Sequence, residues 1–409
     1  MRIPGTWVLV LPLLGVLDCR PKAPAPATKA EVQALVQGSN RLGLAVYHDL
    51  AKAQNGSLVL TPLGLCDPVA VLAWGLGDPE GSAALKQAGL VLPPDRVPTA
   101  LEALRRDLLK PDSVLLPGQT PASLSVATAL WSDASNPIPW RSRHLLPVVM
   151  RTEAANLEAD GIREEMRQWI AATTGGLKVP NRLPSPAGGG LALVGTLHFK
   201  ATWACPFRAE WTESAPFHRL DGSEVMVPLM RLHEPMPYWR DADCEATGLA
   251  YAGARLDLVI LLPVPGRFRA VESGLDEARL NRILAGLDQS KPYEHGAQVF
   301  LPRFTIDSSV DLTGVLAHLG LGHAMSGGAP FPRLQEHTSH LPLCAEQISR
   351  FAVDEKGTEA SSATIFITLG ISKTTPFRAD RPFLFLLRDS QTGALLYLGR
   401  YLGPEAPQG

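Results

Sequence analysis

The residue types that make or break bonds are present in this chain, but almost never at a spacing that lets them act together. It has no Gly-x-Ser-x-Gly elbow, no Ser-x-x-Lys pair and no Gly-x-x-x-x-Gly-Lys phosphate loop. His233-Glu234 begins like a zinc-binding His-Glu-x-x-His helix, yet the second histidine is missing, and Pro235 and Pro237 forbid the helix. The other histidines, among them His198, His218, His295 and His323, show no metal-cage spacing and read as surface or satisfied interior residues. The stretch that stands out is physical rather than catalytic. Glu355-Lys356-Gly357-Thr358-Glu359-Ala360-Ser361-Ser362-Ala363-Thr364 is a run of mostly small side chains, and Ile365 to Ser372 continues it with strand-like alternation. No proline interrupts Gly357 to Ser372, so every amide in it can join a β-ladder. Such a segment can slide between two strands without steric penalty, which marks it as a moving part.

Composition narrows the function. The chain has 409 residues, a net charge of −2, 45% hydrophobic and 19% charged residues, and a mean hydropathy of +0.05. It is long enough for one large core, and it lacks the basic excess of a nucleic-acid binder. Arg105, Arg106 and Lys110 cluster on one helical stretch and read as a solvated face rather than a polyanion site. Residues 1–19 read as a secretory signal: Arg2 precedes the apolar run Trp7 to Leu17, which is shorter than the ~20 residues that span a bilayer. Cys19 directly follows that run, like the lipidated cysteine of bacterial lipoproteins, but Val16-Leu17-Asp18 departs from the usual Leu-small-small box. Lipoprotein and plain secreted protein therefore both stay open, with an extracellular or surface-anchored location in either case. Residues 20–30, rich in Pro and Ala, read as a tether. Cys66, Cys205, Cys244 and Cys344 complete the five cysteines, with no Cys-x-x-Cys among them. An exported chain can form disulfides, but no pairing is readable, and free buried thiols are the simpler reading.

The elements that must carry the mobile stretch follow from periodicity. Apolar residues at helical spacing predict helices over 29–52, 63–74, 101–109, 162–172, 275–287 and 312–319. Strands are expected from about residue 190 onward: 191–194 leading into 197–199, then 256–262, 298–306, and a hairpin of 383–387 with 394–401 about Asp389-Ser390-Gln391-Thr392-Gly393. Helices early and strands late make an α+β pattern, and no linker after residue 30 argues for a second domain.

Five ordered blocks then carry a family resemblance over nearly all of 31–405. Leu193 to Trp203 is similar to a Leu-Val-Asn-x-x-x-Phe-Lys-Gly-x-Trp block. Phe217-His218, Asp221-Gly222 and Val227-Pro228-Leu229-Met230 follow a second block, and Leu301-Pro302-Arg303-Phe304 with Asp311-Leu312 a third. Glu355 to Thr364 resembles a Glu-x-Gly-Thr-Glu-Ala hinge followed by small residues, and Phe377 to Leu387 matches the C-terminal signature. Together they resemble the serpins. The resemblance implies an α+β serpin fold of about eight to nine helices and three β-sheets with an exposed reactive-centre loop, and a monomer without cofactor or metal. It implies an inhibitor rather than an enzyme, one that traps a serine protease, or alternatively a cysteine protease. A non-inhibitory binding or carrier serpin is the competing reading. Such members usually have bulky, charged or proline-containing hinges, and this one has none.

The resemblance also nominates residues. Glu355, Gly357, Thr358, Glu359, Ala360, Ser361, Ser362, Ala363 and Thr364 form the hinge. Fourteen residues beyond Gly357, the bond Ile371–Ser372 is the expected bait, within a register of one or two residues. Ile371 suits elastase-like or subtilisin-like pockets rather than trypsin-like ones. In an inserted strand Thr358, Ala360, Ser362 and Thr364 would face the core, and Glu359 would face outward. Trp203 is expected where the loop enters the sheet, and Arg303 opposite Glu355. The family's polar shutter corresponds to Thr61, Gly64, Gly195 and Gln347, a thinned set in which Thr61 and Gln347 can still bond.

Overall fold

A computed structural model describes residues 25–108, 110, 115, 119–120, 122–132, 138–139, 142, 149–152, 160–177, 191–253, 255–290, 298–317, 321–322, 331–334, 343–358 and 376–404. The hinge residues Glu359 to Thr364, the bait Ile371 and Ser372, and Cys19 lie outside the described residues.

The chain starts with α1 (Lys29–Ala53), set by a capping box. Thr28 Oγ1 accepts from the Glu31 amide at 3.2 Å, and the Glu31 carboxylate accepts from the Thr28 amide at 2.8 Å. Next comes α2 (Pro62–Leu76), apolar all round and buried along nearly its whole length, so it runs through the interior. Shorter helices α3 (Glu80–Gln87) and α4 (Val97–Leu108) follow.

Three sheets stand over these helices. The main sheet has the order β11 (Phe304–Asp311), β12 (Leu343–Val353), β4 (Leu191–Thr202), β2 (Ser123–Ser132) and β3 (Val149–Thr152), with the two-residue β13 (Gly357–Thr358) paired to β4. The second sheet has the order β1 (Leu58–Leu60), β16 (Leu395–Tyr401), β15 (Phe383–Asp389), β9 (Leu256–Pro263), β8 (Cys244–Ala250) and β7 (Tyr238–Arg240). The third has β14 (Phe377–Arg378), β10 (Val299–Pro302), β6 (Glu224–Leu232) and β5 (Glu213–His218). Strands β15 and β16 are buried on both faces. Phe385 stacks on Phe351 of the main sheet with centroids 4.9 Å apart, which joins the two sheets through one core. The outer face of the main sheet is covered by the helix Asp160–Thr173, whose Trp169 meets Trp131 edge-on at 5.3 Å.

Several expectations need correction. The early half is not purely helical: β2, a ten-residue strand, lies inside the main sheet. Its sequence, Ser-Leu-Ser-Val-Ala-Thr-Ala-Leu-Trp-Ser, is too small and polar to read as a buried run. The alternation over 298–306 breaks at Arg303, which sends β10 and β11 into different sheets. Arg105 is not solvated: it turns inward and pairs with the buried Asp67 of α2, while Arg106 stays exposed beside Glu102. The described cysteines are free thiols, but only Cys66 and Cys244 are buried; Cys344 is partly exposed and Cys205 is exposed. Among the described residues, no helix is long and apolar enough to cross a membrane, and no group of three or more His, Cys, Asp or Glu could hold a metal ion.

Candidate functional site

The segment expected to act as a hinge begins where β12 ends. After Val353 the chain reverses within three residues. Asp354 Oδ1 accepts from the amides of Lys356 (2.8 Å) and Gly357 (3.0 Å), and the Asp354 amide donates to the Gly357 carbonyl at 3.0 Å. This turn aims Gly357 and Thr358 back into the main sheet, where they pair antiparallel with Thr202 and Ala201 of β4. Glycine is required at 357 by close approach, since a Cβ there would stand 2.0 Å from the Ala201 carbonyl oxygen.

Aromatic packing holds the turn from below. Trp203 is buried, its amide donates to the Lys356 carbonyl at 2.9 Å, and its indole N–H donates to the Asp354 carbonyl at 2.9 Å. Its ring stacks on Tyr251 with centroids 4.3 Å apart. The Tyr251 hydroxyl lies 2.7 Å from Thr358 Oγ1, and both residues are buried. Burial of the phenol pushes its pKa well above the ordinary value, so it stays a neutral hydrogen-bonding group.

Glu355 is anchored three ways. Its carboxylate meets the Arg303 guanidinium and accepts from Thr212 Oγ1 at 2.8 Å, while its carbonyl accepts from the Phe207 amide at 2.8 Å. Burial works to raise the Glu355 pKa, but the hydrogen bonds from Arg303 and Thr212 outweigh it and hold the group below its ordinary value.

Beneath the hinge lies a seam. Strands β12 and β4 run parallel and pair directly from Leu343↔Leu191 to Ser349↔Leu197. Above Leu197 they part, and Gly357–Thr358 pairs with β4 higher up, at Ala201 and Thr202. Thr61, Gly64, Gly195 and Gln347 meet at mid-seam. The Gln347 side chain accepts from the Thr61 amide at 2.8 Å and donates to the Thr61 carbonyl at 3.1 Å. The bond runs through the Thr61 backbone, and its buried hydroxyl has no partner. A Cβ on Gly64 would stand 2.3 Å from that hydroxyl, and one on Gly195 would stand 3.1 Å from the Gly64 carbonyl. The two glycines thus let α2 and β4 approach backbone to backbone.

The structure therefore brings Glu355, Gly357, Thr358, Trp203 and Arg303 together at the top of the seam, and the four mid-seam residues together below it. Tyr251, Thr212 and Asp354 were missed by sequence reasoning. Tyr251 reaches the hinge through an isolated bridge with Trp203, a long-range pairing that leaves no local periodic signal.

Comparison with known proteins bears on this geometry. A family model described as "Serpin (serine protease inhibitor)" matches residues 37–404. An uncharacterized serpin-like protein of Thermococcus kodakarensis is 27% identical over 93% of this chain and 89% of its own length. The leukocyte elastase inhibitor of Equus caballus is 27% identical over 87% of this chain and 97% of its own. Among solved structures, human glycosylated kallistatin superposes with a TM-score of 0.78 at 20% identity, covering 92% of this chain and all of that one. Thyroxine-binding globulin complexed with thyroxine gives 0.77 at 20% identity, covering 93% and 100%. Both likenesses speak to the fold.

Proposed function

Because this chain belongs to the serpin family of serine protease inhibitors, we propose that it inhibits its target as a suicide substrate. The observation that carries this reading is the hinge: Gly357 and Thr358 already pair with β4, and the small residues that follow them in sequence are fit to extend that pairing. The target serine attacks the carbonyl of Ile371. The bond to Ser372 breaks, Ser372 leaves as a free amine after taking a proton, and Ile371 stays ester-linked to the protease. The freed segment then adds to β4 residue by residue in the register set by Thr358, opening the seam with β12 and carrying the protease along. Backbone hydrogen bonds and buried apolar side chains drive that step.

Ile371 favours elastase-like or subtilisin-like targets, in keeping with the elastase inhibitors among the relatives. A carrier role would share the fold with thyroxine-binding globulin, but the uninterrupted small-residue hinge favours insertion. The apolar leader favours export, with Cys19 as the point of attachment if the chain is lipidated.

The test is to mix the chain with pancreatic elastase and, separately, with subtilisin. The reading expects a complex that survives denaturing electrophoresis and a released C-terminal fragment beginning at Ser372. Complete cleavage without any complex contradicts it.

A further inference from the structure

Gln347 in β12, Gly195 in β4 and Thr128 in β2 form one row across the main sheet. All three face α2: Leu193 and Leu197 on β4, Leu130 on β2 and Phe351 on β12 occupy the same side and belong to the main core. Gln347 is fastened to α2 by its two bonds to Thr61. Two strands away, Thr128 Oγ1 donates to Asp67 Oδ2 at 3.2 Å. Asp67 lies on the same helix, is 4% exposed, and pairs with Arg105 of α4. Thr61 and Asp67 are separated by about 9 Å of helix, at about 1.5 Å per residue. Two strand spacings come to about 9.6 Å. Helix α2 is thus pinned to the sheet at two points, one on each side of the β12–β4 seam.

Adding a strand to that seam, which rests on the function proposed above, moves β2 away from β12 by one further spacing of about 4.8 Å. The helix does not lengthen, so the two attachments cannot both survive. We propose that the Thr128–Asp67 bond is the one that breaks, and that Asp67, held by Arg105, is a positioning residue that sets how readily the sheet opens. Breaking the Gln347 attachment would strand three groups, the buried amide of Thr61 and both ends of the glutamine amide, since the Thr61 carbonyl keeps its place as the N-cap acceptor of α2. Breaking Thr128–Asp67 frees one hydroxyl and leaves the carboxylate with Arg105. Ser349 Oγ also donates to the Val59 carbonyl at 3.3 Å, which ties β12 to β1 and keeps it in place. As the sheet slides, β4 moves toward the place of β2, and Gly195 then brings no hydroxyl to Asp67.

The experiment compares the full chain with Thr128→Val and Thr128→Ser. One readout is the rate at which each intact protein takes up a synthetic peptide copying residues 358–369. The other is the unfolding midpoint of each protein, intact and loop-cleaved. Thr128→Val is expected to take up the peptide about tenfold faster, the scale of one hydrogen bond to a charged group. Its midpoint should fall in the intact form and match wild type in the cleaved form, and Thr128→Ser should behave as wild type throughout. An unchanged uptake rate, or an equal loss in both forms, overturns the assignment, because a merely structural contact would matter in both. A wild-type chain that takes up no peptide and gains no stability on cleavage overturns the insertion reading itself, and the assignment with it.

Discussion

The hydroxyls of Tyr251 and Thr358 stand 2.7 Å apart under the stacked ring of Trp203, where the hinge first joins the main sheet. Thr358 already pairs with β4, directly ahead of the segment proposed to insert, and is 1% exposed. An arginine there places a charge with no partner in the core, a cost of about 3–5 kcal/mol. Thr358→Arg is therefore expected to be cleaved by the target protease without forming a covalent complex, read by denaturing electrophoresis. A variant that traps as much protease as wild type contradicts the role given to this position.

The Arg303–Glu355 pair predicts an acid limb in the stability profile. Glu355 has a folded-state pKa below its ordinary 4.5. Its contribution is therefore fully present above the unfolded value and is lost as pH falls through the lower folded one. Arg303→Met should flatten that limb and cost up to about 1 kcal/mol near neutral pH, because the half-exposed guanidinium is screened by solvent. Denaturant titrations between pH 3 and pH 7 check this, and parallel profiles for the two proteins would contradict it.

Arg105 predicts a larger loss. Arg105→Met leaves Asp67 buried without its ion partner, a cost of about 3–5 kcal/mol read as a lower urea midpoint. The double change Asp67→Leu with Arg105→Met should recover most of it, since an apolar pair of similar volume replaces a buried ion pair at little cost.

The thiols separate by environment. Burial pushes Cys66 up to about 11, and Cys244 and Cys344 up to about 12. In a Cys19→Ser chain, a thiol reagent at neutral pH should label the exposed Cys205 first, the partly exposed Cys344 more slowly, and the buried Cys66 and Cys244 only on unfolding. Mass mapping of labelled peptides reads the order. Labelling of Cys244 in the folded protein at the rate of Cys205 would contradict it.

The pairing of Gly357 and Thr358 with β4 was partly legible in the sequence because a close approach needs a glycine, and the small, proline-free run that follows is the composition that the proposed insertion would require. Trp203 and Arg303 came through the family blocks that contain them, and Arg303 does face Glu355. Asp67, Thr128 and Tyr251 could not be read that way. Each gains its meaning from a partner 61 or 107 residues distant, and each sits in a segment whose local pattern looks ordinary. Arg105 was misread for the same reason: a basic helix face looks solvated until the acid that faces it is known. Strand β2 escaped notice because a strand flanked by sheet neighbours can be built from Ala, Ser and Thr when those neighbours supply the apolar bulk.

The most direct measurement is the thermal unfolding midpoint of the chain before and after a single cut within residues 359–375. If the freed segment joins β4 and β12 as a new strand worth about 10 kcal/mol, the midpoint rises by about 10–20 °C, extending the size scaling of thermal unfolding to a chain this long. A midpoint that stays level or falls after the cut would mean that the segment does not enter the sheet.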